Sequence, residues 1–340
     1  MSQDRDDPRR PPPVRVPPLA RVALALVATL LTLGLLEAGL VLTGYESGPL
    51  SIQVAETADA RAYHVFEDDN FEYDPDLIWR PKSGQSIFNR QGFRGPELTP
   101  SKPAGQLRIF TVGDSNTLGW AGVDGANWPS DLQDRLQAVR DDAVVVNAGI
   151  WGYASHQGLI RFRETLAFDP DVVLISFGSN DAHQVLQSDR SYAERPTRDS
   201  PINRALRHAR LGQLVLSVLD GATPGEAPRL QPRVALDEYR ANLTRIVRDG
   251  RERGVQVVLL TRPYIGPIDD PLWWKNRGAD YAAATVEVAD EEDVMLVDVY
   301  SFFKGRDALF ADESHFTDEG HRLAADLIFE HLRLLVAAER

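Results

Sequence analysis

The sequence predicts an α/β protein: a parallel sheet of about five strands with helices on both faces, preceded by a membrane-spanning helix. Three observations carry that prediction. From Leu107 to the C-terminus, short apolar runs alternate with stretches of helical periodicity, as in strands buried on both sides and joined by crossover helices. Residues 22–42, near the N-terminus, are apolar except for one charged side chain, Glu37. The chain has no cysteine and is 43% hydrophobic and 26% charged, so a packed core must hold it together.

The first 21 residues hold Arg5, Arg9, Arg10, Arg15 and Arg21, and six prolines lie between residues 8 and 18. Proline lacks an N–H and fixes φ, so no regular helix is expected there. Residues 22–42 as a helix would extend about 31 Å, matching a hydrocarbon core of about 30 Å. Residues 43–78 carry nine acidic side chains against the single Arg61. Arginines before the apolar segment and acids after it predict a cytoplasmic tail (1–21), an uncleaved anchor (22–42) and a body outside the cytoplasm.

Residues 43–105 read as an extracytoplasmic connecting region that packs on the body, because Phe66, Phe71, Tyr73, Trp79, Phe88 and Phe93 recur through it. The acids Glu67, Asp68, Asp69, Glu72, Asp74 and Asp76 lack the glycine and terminal glutamate of a calcium loop and are expected to be a solvated face. Asn89–Gly95 reads as a turn.

The body, residues 106–340, offers strands at Arg108–Val112, Val144–Asn147, Asp171–Phe177, Val255–Thr261 and Val294–Val299. Leu236, Tyr239, Leu243 and Ile246 form one helical stripe that stops at Gly254. The last helix opens at Thr317 as N-cap and carries Ala324, Ile328, Leu332 and Leu335 on one face. Residues 184–235 are a long insertion with Arg190, Arg195, Arg198, Arg204, Arg207 and Arg210, followed by the apolar stripe Leu211, Leu214, Val215 and Val218. It reads as a lid, a substrate wall or a solvated helix face.

Ligands of open parallel sheets bind beyond the carboxyl ends of the strands. Gly113–Gly119 follows the first strand, Asn147–Gly152 the second, Gly178–Asp181 the third and Asp312–His315 the fifth. Ser115 offers a hydroxyl nucleophile and His315 a base near neutrality. Asp312 can hold the imidazole's tautomer, and the N–H groups of Ser115 and Gly152 with the Asn180 amide can donate to an oxyanion. His321 is a rival base inside the last helix, and His156 and His183 are expected to be structural. Asp181 is expected to cap a helix. Trp120 and Trp151, beside these segments, suit a substrate wall or the core.

These blocks in this order resemble the SGNH (GDSL) hydrolase family, whose Ser, Gly, Asn and His match Ser115, Gly152, Asn180 and His315 and whose catalytic Asp matches Asp312. Asn116 departs from the Leu of the family's named motif. The stretch Tyr73–Pro96 is similar to the leader of membrane-anchored members. The resemblance implies a three-layer α/β/α, flavodoxin-like sheet and ester chemistry without metal or cofactor. The expected substrate is an acyl ester, acetyl above all, of a glycan or small molecule, with transfer of the acyl group to a polysaccharide hydroxyl as the alternative to hydrolysis. An inactive envelope scaffold or glycan-binding protein is a second alternative, which has no use for all five positions together. The net charge of −13 argues against a nucleic-acid partner, and oligomeric state is left open.

Overall fold

The computed structural model describes residues 17–43, 53–54, 61–62, 70–74, 76–119, 125–185, 188–193, 209–219, 231–265 and 274–338. Trp120, Arg195, Arg198, Arg204, Arg207 and the acids Glu67, Asp68 and Asp69 lie outside them. The chain divides into two compact units: one drawn from Met1–Ser47 and Arg198–Glu226, the other from Gly48–Thr197 and Ala227–Arg340.

In the smaller unit, α1 (Pro18–Leu42) is a helix of 25 residues with a mean hydropathy of 2.2 and no buried residue. It begins four positions before the expected Val22. Pro18 occupies the first helical turn, where a missing N–H costs nothing and the fixed φ is already helical. Thr29 and Thr32 return their hydroxyls to the carbonyls of Ala25 and Ala28 at 2.9 Å, which leaves no free side-chain donor there. Glu37 accepts the backbone N–H groups of Arg210 and Leu211, each at 2.7 Å, at the start of a second helix, Arg210–Leu219. The acidic side chain that is out of place in an apolar helix therefore serves as that helix's cap.

The larger unit is built on five parallel strands: β1 (Leu107–Gly113), β2 (Ala143–Asn147), β3 (Val172–Phe177), β4 (Gln256–Thr261) and β5 (Met295–Val297). Their order across the sheet is β2-β1-β3-β4-β5, the flavodoxin-like arrangement whose switch point lies between β1 and β3. Successive strand residues face opposite sides. Phe110, Val112, Val173, Ile175, Val257 and Leu259 face one core, which holds Leu243, Ile246, Tyr281 and Val288. Leu107, Ile109, Leu174, Val258 and Leu260 face the other, with Trp128, Leu132, Ile328 and Leu332. Helices Ser155–Thr165, Leu236–Glu252 and Trp274–Glu291 supply the first layer, and Trp128–Gln137 and Asp318–Ala338 the second. Thr317 caps the last of these by accepting Gly320 N–H at 3.2 Å.

Phe71, Leu77, Ile78, Trp79, Phe88 and Phe93 belong to this unit's core. A hairpin pairs Phe71–Asp74 with Ile78–Pro81, and Asp74 closes its turn by accepting the N–H groups of Asp76 and Leu77 at 2.9 and 2.8 Å. Trp79, Phe88 and Phe93 are 1%, 5% and 1% exposed, in the same cluster as Phe110 and Val146. The expected turn at Asn89–Gly95 is held by Asn89, which accepts from Gln91 N–H and Phe93 N–H at 3.0 and 2.9 Å.

Candidate active site

Strand β1 runs directly into a one-turn helix, Ser115–Leu118, capped by Asp114, which accepts Asn116 N–H at 2.9 Å. That sharp turn presents Ser115 at the strand's carboxyl end. The other Asp114 oxygen accepts Arg262 Nε at 2.8 Å, both side chains being at most 2% exposed. A buried carboxylate needs such a partner to remain charged.

His315 arrives from the opposite end of the chain, in the loop between β5 and the final helix. Ser115 Oγ lies 2.8 Å from His315 Nε2, and Asp312 Oδ2 lies 2.7 Å from His315 Nδ1. An ionised carboxylate can only accept, so Nδ1 carries the proton and Nε2 is left to accept from the serine. Burial pushes the Asp312 carboxyl upward, but donation from His315 Nδ1 and from the N–H groups of Ser314 and His315 overbalances it and holds the pKa at about 2. Asn116 connects the two loops: its side-chain oxygen accepts Phe316 N–H at 3.1 Å. The residue after the serine thereby grips the residue after the histidine. Nothing local in the sequence signals this tie, because the partners are 200 positions apart.

The loop after β2 approaches from the other side. Ile150 N–H donates to Gly113 O at 3.1 Å and Asn147 Nδ2 to Thr117 O at 2.9 Å, fixing the loop beside the serine turn. Gly152 has φ +72°, a left-handed conformation that favours glycine. Asn180, in the short helix Ser179–Ala182 after β3, donates Nδ2 to Tyr153 O at 2.9 Å. This brings Asn180 and the Gly152 turn together and leaves its second amide hydrogen for another acceptor. Asp181 accepts Ser155 N–H at 2.8 Å and Gly178 N–H at 3.0 Å, binding the third block to the start of the Ser155–Thr165 helix. Burial raises its carboxyl to about 6.

His321, His183 and His156 stand apart from the serine's hydrogen bond. His321 is fully buried, its Nδ1 accepting Trp128 N–H at 3.3 Å, and burial lowers it to about 4. His183 is lowered to about 3 by burial and by the cations Arg233 and Arg262. His156 Nδ1 is 3.7 Å from Glu238. The half-buried Trp151 ring leans on Phe71 with centroids 6.4 Å apart. No group of three or more potential metal ligands occurs among the described residues.

Two side chains to which sequence reasoning gave no part in the site touch the Gly152 turn. Trp79 Nε1 donates to Trp151 O at 3.1 Å and Arg233 Nη1 to Gly152 O at 2.7 Å.

A hydroxyl bonded to an imidazole whose far nitrogen faces a carboxylate can attack a carbonyl carbon. Several known proteins are similar to this chain. An arylesterase of Vibrio mimicus is 36% identical over 75 residues, 22% of this chain, and the chain spans only 38% of that relative's length. Among solved structures, a lipase/acylhydrolase from Enterococcus faecalis has a TM-score of 0.47 at 22% identity, covering 67% of this chain and 96% of that one. An acetylxylan esterase from Geobacillus stearothermophilus has a TM-score of 0.46 at 23% identity, covering 67% and 94%. Residues 111–323, more than half of the chain and including every segment of the Ser115 site, match the GDSL-like Lipase/Acylhydrolase family, and the chain belongs to that family.

Proposed function

We propose that this protein is a serine esterase, held at a membrane by α1, that hydrolyses acyl esters, acetyl above all, of a glycan or small molecule outside the cytoplasm. The observation that carries the reading is the continuous hydrogen-bonded chain from Ser115 Oγ through His315 to Asp312, at 2.8 and 2.7 Å. Ser115 Oγ attacks the ester carbonyl carbon while His315 Nε2 takes its proton. The carbonyl oxygen becomes an oxyanion that accepts from the N–H groups of Ser115 and Gly152 and from the Asn180 amide. The intermediate collapses, the carbon–oxygen bond to the alcohol breaks, and His315 returns the proton to the departing alcohol. Water then attacks the acyl-serine with His315 again as base, releasing the acid and restoring Ser115. Family membership and the arylesterase relative support ester chemistry. The arginine-before, acid-after asymmetry around α1 supports the outward orientation.

Intact-mass measurement after brief exposure to activated acyl esters tests the proposal. The full chain is expected to gain one acyl group and Ser115→Ala none, with chromogenic ester turnover lost in parallel. Turnover retained by Ser115→Ala would remove Ser115 as nucleophile. Disappearance of the adduct on adding a sugar, with acyl-sugar formed instead of free acid, would turn the reading from hydrolase to transferase.

A further inference from the structure

Three consecutive carbonyls of the turn after β2 are each held by a side-chain N–H: Trp151 O by Trp79, Gly152 O by Arg233 and Tyr153 O by Asn180, at 3.1, 2.7 and 2.9 Å. Only the last donor comes from a block of the proposed catalytic machinery. Trp79 stands in the hairpin before β1, and Arg233 stands where the chain returns from the insertion. From this we infer that Trp79 and Arg233 are positioning residues that aim the Gly152 N–H at the oxyanion, an inference that rests on the esterase reading above.

The argument follows from peptide geometry. No described peptide bond is cis, and in a trans peptide the N–H points opposite to the C=O. The carbonyl of Trp151 and the N–H of Gly152 belong to one peptide plane. Anchoring that carbonyl on the Trp79 indole therefore turns the N–H to the other side. Arg233 fixes the next plane in the same way, so the turn is restrained on both sides of its one left-handed residue. A glycine at φ +72° has little intrinsic resistance to a peptide flip. The flip would withdraw the acceptor from a Trp79 indole that is 1% exposed, and a buried unpaired donor is costly.

Both anchors are themselves fixed. Tyr153 Oη donates to Trp79 O at 2.7 Å, and the two rings meet edge to face at 5.4 Å. Arg233 grips Asp189 with two parallel bonds, Nε to Oδ1 at 3.0 Å and Nη2 to Oδ2 at 2.7 Å, both side chains being at most 3% exposed. Gln157 Nε2 adds a third donor to Asp189 at 2.9 Å, while its oxygen accepts Ala154 N–H at 3.0 Å, just past the turn. A forked guanidinium satisfies the carboxylate and still has Nη1 for the Gly152 carbonyl, a division of labour that one ammonium cannot reproduce.

The test uses the detergent-solubilised full chain, a chromogenic acetyl ester and a boronic acid that adds to Ser115 as a tetrahedral mimic. Trp79→Phe keeps an aromatic ring, though a smaller one, and deletes the N–H; Arg233→Lys keeps the charge and deletes the fork. Each is expected to lower kcat about 10–100-fold with KM changed less than about threefold, since displaced donors act on the transition state. Boronate affinity should fall by the same factor as kcat/KM. A residue that merely supports packing would lower the melting temperature without this matched loss. Full kcat and boronate affinity in the folded variants would overturn the inference while leaving the esterase reading intact. So would a kcat loss with boronate affinity unchanged. If one variant fails to fold, the other decides. A wild type without Ser115-dependent turnover removes the esterase reading and this inference with it.

Discussion

Asp312 illustrates how an exposed carboxylate can still be committed to one task. Its side chain is 51% exposed, yet three donors converge on it and hold its pKa at about 2. A carboxyl whose folded pKa lies below its unfolded value adds stability above the unfolded pKa, about 4, and loses it as pH falls toward the folded one. Asp312→Asn is therefore expected to melt below wild type at neutral pH, with the two melting temperatures converging between about pH 4 and pH 2. Its kcat should fall about 10²–10⁴-fold, because the imidazole loses the partner that sets its tautomer and stabilises its charged form. Steady-state kinetics at neutral pH and thermal melts across the acid range check both halves. At this scale the convergence was legible: Ser115, His315 and Asp312, all read beyond strand ends, form one hydrogen-bonded chain, and Asn180 reaches the Gly152 turn. Asn116, Trp79, Arg233 and Arg262 were not legible, since each acts on a carbonyl, an N–H or a carboxylate distant in sequence. A side chain's type does not reveal which remote backbone atom it will find.

Among the elements, the Ser155–Thr165 helix lies tight against the end of β3. A Cβ added at Gly158 would sit 2.4 Å from Phe177 Cε2, and Phe177 is 1% exposed immediately before the Gly178–Asp181 block. Gly158→Ala is expected to destabilise the fold by about 1–3 kcal/mol through overpacking. The gain of up to about 1 kcal/mol from replacing a mid-helix glycine works against that loss without removing the collision. Urea denaturation of wild type and variant measures the balance. The five strands were legible to within two residues at each end because buried parallel strands read as unbroken apolar runs. The hairpin before β1 was not resolved from its connecting region. Its strands are four residues each, too short for an alternation to declare itself, and its register depends on an aspartate-closed turn.

For the whole molecule, the proposed topology leads to one further expectation. A reporter fused after Arg340 should be active only outside the cytoplasm, and the full-length mass should persist in alkali-washed membranes. A mature chain lacking residues 22–42 would instead identify a cleaved export signal. The N-terminal apolar helix was legible from hydropathy alone. Its relation to the insertion was not, because a glutamate in an apolar helix reads as a local liability until its acceptor role is seen.

That role bears on how the protein is handled. Cutting away everything before residue 44 is the customary route to a soluble sample. Here it would strip two backbone amides, 173 and 174 positions downstream, of the carboxylate that receives them. In the trimmed polypeptide the Arg210–Leu219 helix would lose that cap, in a segment that the sequence does not connect to the cut.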